Sequence, residues 1–206
     1  MLVRNAMAER VTGVTPETPV AEACTRMEQQ GLEALPVQDP GTGRVLGVAG
    51  VAEVYRAVRE RGSFSAVAQL PVREVMTGRA VAVTPDDPLE KAARMMKELD
   101  LPLLPVVDQG RLAGVLTRSG ILHAFAEMLG VDTGTARITL VVGDRRGQLA
   151  RIAEIIRNAG VNITHLGTFY SKTFQQYQIV IRVECENPQP LVELLEQHHY
   201  NVVDVE

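Results

Sequence analysis

Along the first two thirds of the chain, the order of apolar and polar positions is written twice. Each copy opens on a short apolar run, 11–14 and 80–83, that ends at Thr-Pro, where proline pre-sets a turn. An amphipathic stretch follows. Its apolar residues recur at helical spacing: Val20, Ala23, Cys24 and Met27 in the first copy, Leu89, Ala92, Ala93 and Met96 in the second. Thr18-Pro19 and Asp87-Pro88 predict an N-cap residue before a proline at the first helical position, and Glu90 gives the second start the look of a capping box. Gly31 supplies a stop for the first helix, and Asp100 ends the second. Two apolar runs joined by a glycine-containing turn then predict a strand pair, 34–37 with 45–48 and 103–107 with 112–116. A last helix leaves each pair, at 51–59 and 119–129. The predicted unit is strand, helix, strand, strand, helix.

Unlike residues also match at one constant offset, which amphipathicity alone does not produce. Met7 matches Met76, Val14-Thr15-Pro16 matches Val83-Thr84-Pro85, Met27 matches Met96, and Leu35-Pro36-Val37 matches Leu104-Pro105-Val106. We read an internal duplication. Only the turn differs, Pro40-Gly41-Thr42-Gly43 being longer than Gln109-Gly110. The stretch 56–69, charged and then small and polar, bridges the copies, and the turn-rich stretch 130–135 marks a domain boundary and a hinge. The expected organisation is 1–69, 70–130 and 136–206.

The pattern then changes. A strand over 138–142, a tight loop at 143–147 and a helix over 148–159 are followed by a glycine stop at Gly160 and a strand over 161–169. Alternation over 177–185 predicts a strand with one face more deeply buried. Pro190 opens a second helix, and 202–205 closes as a strand. The order strand-helix-strand-strand-helix-strand is that of a ferredoxin-like split unit, so the fold class is α+β.

Composition narrows the function classes. A chain of 206 residues with 46% hydrophobic and 22% charged residues is an ordinary globular one. The formal net charge of −4, with no helix-turn-helix evident, argues against nucleic acid as a partner. The two cysteines, Cys24 and Cys185, lie far apart and form neither a disulfide framework nor a metal site. The opening Met-Leu-Val-Arg-Asn-Ala-Met lacks the apolar run of a signal peptide, and no run is long enough to span a bilayer. We expect a cytoplasmic protein. His198 and His199 are neighbours on a predicted helix and diverge in direction, so they make no metal pair. His123 and His165 stand alone, no nucleophile–base pair or phosphate-binding glycine loop stands out, and the repeated methionines read as core.

The doubled unit, through Leu-Pro-Val-Val-Asp and Gly-Val-Leu-Thr-Arg-Ser-Gly-Ile-Leu, resembles the CBS domain in tandem. The last third resembles the ACT domain, through Asp144-Arg145-Arg146-Gly147-Gln148-Leu149-Ala150-Arg151-Ile152 and Gly160-Val161-Asn162-Ile163. The joint order resembles the acetoin-utilisation CBS–ACT proteins. This resemblance implies a tandem CBS pair followed by a ferredoxin-like ACT domain, a regulatory role without catalysis, and homodimerisation. It implies an adenine nucleotide (AMP, ADP or ATP) or S-adenosylmethionine in the CBS cleft and an amino acid at an ACT interface.

The family's nucleotide-site pattern, a Thr or Ser at the end of the last strand and an Asp three positions on, is divided between the copies. The second keeps Thr117, Arg118 and Ser119 but has Gly120 at the acidic position; the first has Gly50 for the hydroxyl and Glu53 for the acid. Hydroxyls and free amides at a helix start suit phosphate, and a carboxylate can accept from both ribose hydroxyls. The structural alternative is a solvated Glu53 and a capping Thr117. In the ACT-like loop, Gly147 permits close backbone approach, the amides of Gln148 and Leu149 suit a carboxylate, and Asn162 offers donor and acceptor to an amino acid. There the structural alternatives are turn residues and a cap at Asp144. The functional expectation is a sensor of small effectors, acting on itself or on a partner enzyme. The competing one is a constitutive dimeric scaffold with empty sites serving such an enzyme.

Overall fold

The computed structural model describes residues 1–78, 80–131 and 133–206; Asp132, within the expected break at 130–135, lies outside them. Two compact units divide the chain, Met1–Ala124 and Phe125–Glu206.

In the first unit each repeat supplies an amphipathic helix, a strand pair and a second helix. These are α1 (Val20–Gln30), β1 (Ala34–Gln38), β2 (Val45–Gly50) and α2 (Val51–Arg61), then α4 (Leu89–Glu98), β3 (Leu103–Asp108), β4 (Arg111–Thr117) and α5 (Arg118–Met128). The stretch expected as a plain bridge contains a short helix, α3 (Phe64–Val67), capped by Ser63 Oγ, which accepts from the Ala66 amide at 3.3 Å. Its Val67 is fully buried. Pairing is antiparallel in both repeats, with the same irregularity after Val37 and after Val106. The cores come from the predicted stripes: Val20, Ala23 and Met27 of α1 and Leu89, Ala92 and Met96 of α4 are buried, as are Leu35 and Leu104 of the strands. Each fully buried leucine contributes roughly 1.5–3 kcal/mol.

Two local expectations are corrected. The runs 11–14 and 80–83 are not strands; each makes one parallel bridge, Val14 to Val37 and Val83 to Val106. The prolines Pro16 and Pro85 that follow offer no amide to prolong a ladder. Thr18 and Asp87 are not helix caps either. The N-cap positions are Pro19 and Pro88, and no side chain caps either helix, so no capping box forms at Glu90. Thr18 Oγ1 instead accepts from the Thr15 amide at 3.1 Å, and Asp87 Oδ2 from the Thr84 amide at 2.8 Å. Both side chains close the Thr-Pro turn in front of the helix.

The repeats exchange their leading segments. A 3₁₀ turn at Val3–Asn5 precedes the first repeat and another at Val72–Glu74 precedes the second. The amide of Val3 donates to Asp87 O and that of Arg4 to Pro85 O, while Val72 donates to Thr18 O and Arg73 to Pro16 O. Ala8 bridges Val115 of β4, and Thr77 bridges Val48 of β2. Arg4 pairs with Asp86, and Arg73 with Glu17. Each of these backbone contacts and ion pairs thus has a counterpart one repeat away. Glycine makes the approach feasible: a Cβ on Gly114 would collide with Ala8 O, and one on Gly47 with Thr77 O.

The second unit has β5 (Ala136–Val142), α6 (Gln148–Asn158), β6 (Ile163–Ser171), β7 (Gln176–Val183), α7 (Gln189–Gln197) and β8 (Asn201–Val205). Its sheet order is β6-β7-β5-β8, antiparallel throughout, which is the ferredoxin-like arrangement. Ile138, Leu140 and Ile181 of the sheet pack with Ile152 and Ile156 of α6 and Leu195 of α7. His198 and His199 do not lie on a helix as expected; α7 ends at Gln197, His198 is its C-cap and His199 has φ 65°. Arg182 donates from Nε to Leu129 O at 3.0 Å and from Nη1 to Thr135 O at 3.1 Å, and Gly130 lies against the His165 ring, where a Cβ would clash.

Candidate functional site

A hollow of about 280 Å³ lies in the first unit between the two repeats. One wall is the turn from α1 into β1: Gly31, Leu32 and Glu33. The other is Pro102 and Leu103 at the start of β3, with Thr117, Arg118 and Ser119 where β4 passes into α5. The walls form because both first helices end in left-handed residues. Gly31, at φ 63°, ends α1 and lets the Leu32 amide return to Met27 O; Asp100, at φ 49°, sends the Leu101 amide back to Met96 O.

The polar groups are tied to each other. Thr117 Oγ1 accepts from the Gly120 amide at 3.0 Å and lies 2.9 Å from Ser119 Oγ. Thr117 therefore acts as the cap of α5, and the hydrogen bond between the two hydroxyls leaves one O–H of the pair available at the hollow. Arg118 donates from Nε to Leu101 O at 3.1 Å and from Nη2 to Asp100 Oδ1 at 2.5 Å. Two hydroxyls, a helix start and the Arg118 guanidinium, itself paired with Asp100, converge on one wall, which suits a polar oxygen-bearing group.

The two acid positions diverge. A Cβ at Gly120 would lie 2.7 Å from Ala6 O, so the leading segment occupies the place of a side chain there. Glu53, half-buried on the first turn of α2, is folded back: its Oε2 lies 2.9 Å from where a Cβ on Gly50 would be. Glu53 is not among the residues that line the hollow with Thr117, whereas Glu33 is. The sequence reading missed Glu33, Leu32 and Pro102. The available signal was positional, since Glu33 and Pro102 occupy matching places just before β1 and β3.

In the second unit, Gly147 has φ 83° and is the N-cap of α6. Gln148 and Leu149 border a hollow of about 160 Å³ with Asp144, Arg145, Thr168 and Tyr177. The Gln148 amide donates to Arg145 O at 3.4 Å and its Oε1 accepts from Tyr200 Oη at 3.2 Å. Asn162 borders a different hollow, beside Arg157 and Gly160, and donates from Nδ2 to Glu184 Oε2 at 3.0 Å. One chain thus brings Gln148 and Leu149 together and leaves Asn162 apart.

Duplicated units with exchanged leading segments, enclosing a polar hollow between them, define one tandem module rather than two independent domains. The chain belongs to the CBS-domain family, whose model matches residues 3–60 and 72–127. It is 28% identical over 134 residues to the CBS domain-containing protein YhcV of Bacillus subtilis, covering 65% of this chain and 91% of that protein. Among solved structures it is similar to CBSX2 in complex with AMP, at 25% identity and a TM-score of 0.52, covering 62% of this chain and 97% of that one. It also shares the fold of AcuB of Vibrio cholerae, assigned by name to acetoin utilization, at 23% identity and a TM-score of 0.56, covering 65% and 96% of the two chains. The chain spans about a quarter of the length of some longer relatives, among them the homoserine O-acetyltransferase of Methanococcus vannielii, of which it covers 24%. Among the described residues, no helix is long and apolar enough to cross a membrane.

Proposed function

We propose that this chain is a non-catalytic cytoplasmic sensor that binds an adenine nucleotide or adenosyl ligand between its CBS repeats. One observation carries the reading: the hollow of about 280 Å³ is walled by both repeats and combines Thr117, Ser119 and Arg118 with a helix start. The similarity to a CBS protein crystallised with AMP supports the same ligand class. Thr117 and Ser119 offer hydroxyls to a phosphate or sugar, Arg118, paired with Asp100, lines the same wall, and Gly120 admits the leading segment rather than a carboxylate.

The second unit is read as an ACT domain that takes an amino acid, with Gly147, Gln148 and Leu149 on one side of the site. Asn162 borders another hollow of the same chain; a single site joining it to Gln148 would need a second copy, and homodimerisation is part of this reading. A link to acetoin utilisation rests on the joint order of two CBS units and one ACT-like unit. The output is altered activity of a partner enzyme.

Thermal unfolding of the full chain with AMP, ADP, ATP, S-adenosylmethionine and free amino acids tests this. A ligand at a hundred times its Kd stabilises by about 2.7 kcal/mol, which a melting curve resolves. No shift with any adenosyl compound at millimolar concentration sinks the sensor reading. It would leave the second reading, a constitutive scaffold with empty sites, which the capping role of Thr117 favours. The scaffold reading requires that Glu53→Ala combined with Thr117→Ala leave the partner's activity unchanged.

A further inference from the structure

We propose that Glu33, carried by the first repeat, is the ribose-binding carboxylate of the half-site whose hydroxyls come from the second repeat, and that it biases that site against polyphosphates. The inference rests on the ligand-binding reading above and names the ligand class of the same hollow.

Three observations lead to it. The position three residues after Thr117 holds no acid, and Ala6 O, 2.7 Å from the place of a Cβ on Gly120, leaves no room for one. The other candidate acid, Glu53, turns onto Gly50 and is not part of this lining. Glu33 faces the same hollow as Thr117 and Ser119, from the opposite wall. It is exposed, and its carboxylate has no hydrogen bond or ion pair among the described residues. A free carboxylate across from two hydroxyls is suited to accept from both hydroxyls of a ribose, while Leu32, Pro102 and Leu103 give an apolar seat for a base.

Charge decides the tail. Arg118 is the cation of the lining, and Asp100 already neutralises it. Glu33 therefore leaves the hollow with a net negative charge. A di- or triphosphate added there meets the like charge of Glu33, whereas a neutral or cationic adenosyl group does not. The expected order of affinity is adenosine or S-adenosylmethionine ahead of ATP.

Calorimetric titration of the full chain with adenosine, 2′,3′-dideoxyadenosine and ATP, for wild type and Glu33→Gln, separates the cases. Wild type should bind adenosine about tenfold tighter than the dideoxy compound, the size expected for hydrogen bonds to a charged group. Glu33→Gln, which keeps an acceptor but loses the charge, should shrink that ratio severalfold and tighten ATP. Its melting temperature checks that this exposed substitution leaves the fold intact. An unchanged adenosine-to-dideoxyadenosine ratio in Glu33→Gln overturns the role of Glu33 and leaves the sensor reading standing. Absence of binding of every adenosyl compound to wild type overturns both.

Discussion

The two halves of the CBS pair share a backbone plan and differ at the residues that would meet a ligand. In the second half, Thr117 caps α5, Ser119 lies beside it, and Arg118 is anchored to Asp100. In the first half the matching positions are Gly50, Ala52, Val51 and Gly31, and the acid Glu53 fills the space that a residue-50 side chain would take. The contacts that join the halves stayed symmetric while the contacts available to a ligand did not. The packing contacts recur in both copies, whereas the hydroxyls and the guanidinium lie on one wall of one hollow.

Substitutions can test that division. The strongest effect is expected where symmetry is intact. Gly114→Ala and Gly47→Ala each place a methyl into a backbone carbonyl, of Ala8 and of Thr77, and each should lose about 3 kcal/mol in urea unfolding. A large loss in one and none in the other would break the picture of equal exchange.

Next comes Gly120→Asp, which restores the family's acidic residue. Because Ala6 O occupies that direction, it should destabilise by about 1–3 kcal/mol and fail to improve adenosine binding. A stable variant with tighter binding would show that the leading segment yields. Thr117→Val should cost about 1 kcal/mol through the lost cap. Gly50→Ser, its counterpart, should restore no adenosine binding in the first half, since Ala34 Cβ and Glu53 crowd that side chain.

The smallest effect is with pH. Hydrogen bonding to Lys91, then to the Thr84 amide, holds the Asp87 carboxyl below its usual range. A depressed carboxylate adds stability above its unfolded pKa of about 3.9, and that contribution fades as pH falls through the lower folded value. Thr18, in the same place of the first repeat, does not titrate. Amide exchange below about pH 4 should therefore loosen the start of α4 before that of α1. Simultaneous loosening would contradict it.

Much of this fold is legible in the sequence. The stripes Val20, Ala23, Met27 and Leu89, Ala92, Met96 locate α1 and α4 and their buried faces, and the alternation of Ile179, Ile181 and Val183 marks the core side of β7. Local chemistry with two satisfiable targets was not. A threonine before proline can cap a helix or close the preceding turn, and here the turn amide at Thr15 takes the hydroxyl. The exchange of leading segments was equally hidden, because it joins residues such as Ala8 and Val115 that no periodicity relates. Thr117, Arg118 and Ser119 could be found from the motif, whereas Glu33 belongs to no motif and reaches the hollow only through the packing of two repeats.

The exchanged segments also bear on synthesis. The turn at Val3–Asn5 leaves the ribosome well before its partners, since Pro85 and Asp87, and Val115 for Ala8, belong to the other repeat. At about 5–20 residues per second, the opening segment waits on the order of five to twenty seconds before it can dock. Midway through that interval β2 has its partner β1 before Thr77 emerges, and the apolar Val3 stays uncovered until Asp87 follows. A chaperone or a pause in translation would act on the nascent chain in this window, before Val115 emerges and the ring of contacts closes.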